Sequence, residues 1–130
     1  MTDYVLAESA AAARSNAIKL HGPEAFEGMR RAGRLAAEVL DALVPHVRPG
    51  VSTDEIDRLA YEHIVRAGAT PACLGYRGYP KTLCISINHV ICHGIPSDRV
   101  FKDGDIANLD VTVIVDGWHG DTSRMFLLGD

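Results

Sequence analysis

Two aspartates stand where such side chains are uncommon. Asp110 interrupts the apolar run Ile106-Ala107-Asn108-Leu109-Asp110-Val111-Thr112-Val113-Ile114-Val115, although Asp is depleted in strands. Asp121 follows Gly120 on the far side of Asp116-Gly117, a dipeptide that signals a two-residue hairpin turn. With those two as the turn, Val115 pairs with Trp118, Thr112 with Asp121 and Asp110 with Ser123. Residues two apart on a strand share a face. The two carboxylates therefore become diagonal neighbours, with Cβ atoms about 7 Å apart. At that spacing both reach one cation, or one bridges two. A buried, unpaired carboxylate is costly, and two on one face repel. A divalent cation resolves both problems, and an oxygen donor set suits Mn, Mg, Fe or Co. The alternative is that Asp110 lies on a solvated edge and Asp121 caps a turn.

His93 lies between Cys92 and Gly94-Ile95-Pro96, where the chain leaves an extended segment. That is a position for a functional side chain on a rigid scaffold, or for a turn histidine bonded to backbone. His119 shares the face of Asp121 under strict alternation, as a ligand or a partner of one. The three cysteines, Cys73, Cys84 and Cys92, are odd in number and form no CxxC pair, which excludes a disulfide framework or a zinc ribbon. There is no Gly-x-Ser-x-Gly, phosphate loop or HExxH, so serine hydrolase, nucleotide-binding and zincin chemistries have no support.

Elements must position these residues, and their order is legible. All six Glu lie at or before Glu62, and the seven acidic residues after it are all Asp. Glu favours helices, while Asp favours caps and turns, so a helical first half precedes a strand-and-turn second half. Pro23 opens a helix running to Val44, with Phe26, Met29, Leu35, Ala36, Val39, Leu40 and Leu43 as its apolar face. Ser52-Thr53-Asp54-Glu55 is a capping-box pattern, and Ile56, Leu59, Ala60, Ile64 and Ala67 follow on one face up to Gly68. Residues 72–80 read as a surface loop. Thr82–Ile87 is a strand, Val90–Cys92 a further short strand, Lys102–Asp105 a turn, and 106–115 and 118–128 the hairpin. The first twenty residues, with Ala10 to Ala13, read as a loosely ordered or helical extension.

A length of 130 residues with 47% hydrophobic residues suits one domain with its own core. The net charge of −4 argues against a non-specific nucleic-acid binder. No stretch approaches the roughly 18 apolar residues of a membrane helix, and the N-terminus lacks a signal-peptide pattern. The composition is that of a cytoplasmic globular protein.

The blocks together resemble the type I (bacterial-type) methionine aminopeptidases. They are Ala72-Cys73-Leu74-Gly75-Tyr76, Gly78-Tyr79-Pro80-Lys81, Cys84-Ile85-Ser86-Ile87-Asn88, Cys92-His93-Gly94-Ile95-Pro96, Lys102-Asp103-Gly104-Asp105, Asn108 to Val113 and Gly120-Asp121-Thr122-Ser123. The likeness runs from about residue 23 to 129. It implies an α/β (α+β) architecture, the N-terminal half of the pita-bread (creatinase/aminopeptidase) fold, with two helices packed on a curved antiparallel sheet. Residues 1–22 would be an extension and residues 23–130 that half of the catalytic domain.

The resemblance also implies removal of the initiator methionine from nascent polypeptides by two divalent metal ions (Co, Mn, Fe, Zn or Ni). Asp110 and Asp121 match metal ligands. His93 matches the catalytic histidine that bonds the substrate and the developing tetrahedral centre. Cys73, Tyr76, Tyr79 and Cys84 match the pocket for the methionine side chain, and the Asn88 and Val90 backbones match a monovalent-cation site. Expected partners are Met-initiated N-termini and, as a candidate, the ribosome, with no nucleic acid and no membrane. The full enzyme is expected to be a monomer.

The ligand set that this resemblance implies also includes a histidine and two glutamates from the second half of the fold. No Glu follows Glu62, and His119 is the only histidine after the hairpin turn. The expectation is therefore the first half of a protein about twice as long, inactive by itself. The competing expectation is a catalytically dead pita-bread product acting as a binding module.

Overall fold

The computed structural model describes the backbone of residues 4–6 and residues 18–129. Two short strands, β1 (Tyr4–Leu6) and β2 (Ile18–Leu20), pair in parallel at the start. The loosely ordered or helical extension is corrected to that extent, and Tyr4, Val5 and Ile18 are of the types that favour strands. The alanine run 10–13 lies outside the described residues. Helix α1 (Pro23–Leu43) and helix α2 (Thr53–Arg66) follow, then β3 (Thr70–Pro71), β4 (Leu83–Ile87), β5 (Ile106–Val115) and β6 (Trp118–Leu127).

Strand β5 is the centre of the main sheet. Along one edge it pairs antiparallel with β6 over its whole length, from Ile106↔Leu127 to Val115↔Trp118. Its other edge carries β4, from Leu83↔Val111 to Ile87↔Ala107, and then β3 at Val113 and Ile114. Residues 90–92 do not form the expected strand. Asn88 takes a left-handed φ of 55° and the Val90 N–H turns back to the Ile87 carbonyl at 3.2 Å. That turn ends the ladder, and Ile91 is left 93% exposed. The strand at Thr70–Pro71 has no sequence signal, since two residues carry no periodicity.

Both helices lie on one face of the sheet. Alternate residues Ala107, Leu109, Val111 and Val113 are fully buried against Val39, Leu40, Ile56 and Ile64, each large aliphatic chain adding roughly 1.5–3 kcal/mol of burial. The buried stripe of α1 is Gly28, Ala32, Ala36, Val39, Leu40 and Leu43. Phe26 and Met29, expected in the core, are about half exposed (53% and 48%). They lie off the face that β6 approaches, which carries Gly28 and Ala32: a Cβ on Gly120 would stand 2.2 Å from the Ala32 carbonyl, and one on Gly28 would stand 2.4 Å from the Trp118 indole. Only small residues fit on that face.

At the start of α2, Ser52 Oγ accepts the Glu55 N–H at 3.2 Å. Glu55 instead pairs its carboxylate with the Arg58 guanidinium at 2.9 and 2.6 Å, so one arm of the expected capping box is used for an ion pair. Asp57, on the next turn, is buried and ties α2 to the sheet. Its Oδ1 accepts the N–H groups of Thr82 at 2.9 Å and Leu83 at 2.8 Å. Burial pushes this carboxyl above its ordinary range, against the opposing pull of those two bonds.

Candidate active site

The hairpin register is the one expected. Thr112 faces Asp121 and Asp110 faces Ser123, which makes the two carboxylates diagonal neighbours on the face away from the helices. The Thr112 hydroxyl donates to Asp121 Oδ1 at 3.1 Å. Asp110 is half-buried, and burial and then the charge of Asp121 raise its carboxyl above the usual range, with His93 acting in the opposite direction. Negative charge is therefore undercompensated here, as expected of oxygen donors arranged for a cation.

A cleft of about 610 Å³ opens over this pair. It brings together seven residues expected from sequence: Cys73, Tyr76, Tyr79, Cys84, His93, Asp110 and Asp121. Their origins differ. Cys73 and Tyr76 come from the loop after β3, where Tyr76–Gly78 makes a 3₁₀ turn. Cys84 is on β4, opposite Asp110, and His93 is on the segment that folds back along β4. Tyr79 closes the wall, its O–H shared between the carbonyls of Leu83 at 2.8 Å and Gly94 at 3.3 Å.

The part of the wall made by Cys73, Cys84 and Tyr79 is uncharged at neutral pH. Burial raises the thiols of Cys73 and Cys84 and, more strongly, the Tyr79 phenol. Neutral sulfur and aromatic surface beside two carboxylates suits an apolar, polarizable side chain next to a polar reacting group. All three cysteines are free.

Asn88 and Val90 do not line this cleft. The Asn88 side chain is bonded to Asp105 Oδ1 at 2.8 Å and to the Ile106 N–H at 3.0 Å, while Val90 borders a cavity of about 100 Å³ behind the His93 segment. His119 shares the facing of Asp121, yet it pairs with Ile114 near the hairpin end and is not part of the cleft wall. Five lining residues were not among the site residues expected from sequence: Arg77, Gly78, Pro80, Ile95 and Thr112. Thr112 had a usable signal, since the hairpin arithmetic already set it opposite Asp121. Arg77 had none, because its φ of 48° and its stacking 5.4 Å from the Tyr76 ring centroid are properties of the folded loop.

The donor chemistry fits part of a divalent-metal site. Two carboxylates supply oxygen ligands, but among the described residues no cluster of three or more His, Cys, Asp or Glu forms. Metals of this kind take about four to eight ligands each, so the remaining donors must be water, substrate or residues beyond these.

A sheet of this topology under two helices, with paired strand carboxylates over a cleft, has known counterparts. The profile of metallopeptidase family M24 matches residues 27–130, and the chain belongs to that family. It is 62% identical to the methionine aminopeptidase of Escherichia coli over 115 residues, which is 87% of this chain and 44% of that protein. The crystal structure of methionine aminopeptidase from Rickettsia prowazekii superposes with a TM-score of 0.86 at 55% identity, covering 87% of this chain and 46% of that one. The enzyme from Thermotoga maritima gives 0.81 at 32% identity, covering 84% and 44%. The fold is accordingly the pita-bread type, and membership of a metallopeptidase family implies divalent metal ions. The chain spans less than half the length of these relatives. No helix of the described residues is long and apolar enough to cross a membrane.

Proposed function

We propose that residues 23–130 are the N-terminal half of the catalytic domain of a metal-dependent methionine aminopeptidase, which removes the initiator methionine from nascent chains in the cytoplasm. The observation that carries this reading is one cleft holding a carboxylate pair, a histidine and a patch of sulfur and aromatic surface. Asp110 and Asp121 hold divalent cations together with ligands that the described residues do not supply. Such cations, when bound, supply an acidic water and Lewis acidity towards a carbonyl. His93 donates a hydrogen bond to the scissile carbonyl oxygen as charge develops on it. Cys73, Tyr76, Tyr79 and Cys84 enclose the methionine side chain and exclude water around it. The Asn88 and Val90 carbonyls are assigned to a monovalent cation, and the ribosome is the candidate site of encounter with substrate.

The test is a hybrid in which residues 1–129 are followed by the part of the Escherichia coli enzyme that this chain does not match. With Mn²⁺ or Co²⁺, the hybrid should release methionine from a Met-Ala peptide, and the 130-residue chain alone should not. A folded hybrid without turnover would refute the assignment and favour a binding module. Turnover by the chain alone would refute the shared-site reading.

A further inference from the structure

His93 has a φ of 55°, a left-handed conformation uncommon outside glycine, in which Asn, Asp and His are the enriched side chains. The residue that follows is held on both sides. Gly94 donates its N–H to Ser86 Oγ at 3.1 Å. Its carbonyl accepts the Ile85 N–H at 2.8 Å and the Tyr79 O–H at 3.3 Å. The segment lies so close to β4 that a Cβ at position 94 would stand 2.1 Å from the Ile85 carbonyl oxygen. Both sides of Gly94 are thus tied to the strand that carries Cys84.

Ser86 is the side chain in this arrangement that nothing else explains. It is 4% exposed on a strand otherwise made of Leu, Cys and Ile, where a hydroxyl costs free energy unless it is bonded. It lies two residues beyond Cys84, on the same face, opposite Asn108. The N–H it accepts belongs to the peptide joining His93 to Gly94. We propose that Ser86 is a positioning residue for His93: its hydroxyl clamps the His93–Gly94 peptide, so that the imidazole is held over the cleft on the Asp110 side. The consequence for chemistry rests on the role proposed above for His93, whereas the clamp itself does not.

The experiment uses the 130-residue chain, isotope-labelled, and compares wild type with Ser86→Ala and Ser86→Thr by NMR. Loss of the hydroxyl should speed exchange of the Gly94 amide by about tenfold or more and shift the His93 ring resonances. Amides of the β5–β6 ladder should keep their protection. Ser86→Thr, which keeps an acceptor, should restore both signals. In the hybrid enzyme, Ser86→Ala should lower kcat with little change in KM. Unchanged His93 and Gly94 signals in Ser86→Ala would overturn the proposal, and so would protection lost evenly over the whole sheet. Should Ser86→Ala fail to fold, the wild-type chain decides: a Gly94 amide as protected as that of Ile85 supports the clamp, and one exchanging like an open loop refutes it. A hybrid that is inactive before any substitution sinks the assigned activity, while the NMR outcome still decides the clamp.

Discussion

The two faces of β5 are made by the same ten residues and do different work. On the helix side, Ala107, Leu109, Val111 and Val113 are fully buried and pack under α1 and α2. On the other side, Asn108, Asp110 and Thr112 remain partly exposed, and two of them line the cleft. Burial on one side stabilises the strand enough to carry a repelling carboxylate pair on the other. Stability and chemistry are thereby separated by one residue of alternation, and substitutions at neighbouring positions should have opposite signatures.

The largest effect should come from the helix side. Leu109→Ala removes a fully buried side chain from the middle of the core and should cost about 2–5 kcal/mol, seen as a fall in the urea midpoint. If the chain tolerated it with less than about 1 kcal/mol, the division between the faces would be broken. Next door, Asp110→Asn should leave the melting temperature unchanged or raised, since it relieves repulsion with Asp121. The same change should lower Mn²⁺ binding and turnover of the hybrid by at least about a hundredfold. Equal metal binding in wild type and Asp110→Asn would remove that carboxylate from the ligand set.

A smaller effect tests the tie between helix and sheet. Asp57→Ala strands the Thr82 and Leu83 N–H groups that Asp57 accepts and should cost about 2 kcal/mol. Asp57→Asn keeps the accepting oxygen and should cost under about 1 kcal/mol by the same measure. Equal losses in the two variants would mean that these bonds contribute little.

The smallest effect is the pH dependence, where two carboxyls have opposite signs. Asp105 is held below its usual range by the Lys102 N–H and the Asn88 side-chain amide. Its contribution is present above the unfolded value of about 3.9 and is lost as pH falls through the lower folded value. Asp57, raised by burial, loses stability as pH rises from the unfolded value through its higher folded one. Asp105→Asn should therefore flatten the acid limb of the stability curve, and Asp57→Asn should steepen it. Identical acid limbs in all three proteins would remove both assignments.

Much of the molecule was legible in one dimension wherever a local rule governs. The hairpin is the clearest case: Asp116-Gly117 sets the turn, the turn sets the register, and the register makes Asp110 and Asp121 neighbours. Pro23 and Ser52 likewise marked the two helix starts. The failures have two causes, one distant and one local. Phe26 and Met29 satisfied helical spacing, but the buried stripe runs through Gly28 and Ala32, which Trp118 and Gly120 approach from far along the chain. The segment 90–92 had strand-like residues, but a left-handed Asn88 ended the ladder before it.

The sequence by itself determined the kinds of element, the facing of the carboxylate pair and the family, because caps, turns and alternation act over a few residues. Only the tertiary structure decided which residues share the cleft, how Asp57 and Ser86 are used, and how the residue after His93 is held. Those are contacts between segments brought together by folding: Ser86 with Gly94, Asp57 with Thr82, Ala32 with Gly120. No local pattern encodes them, since each depends on where a distant backbone comes to rest.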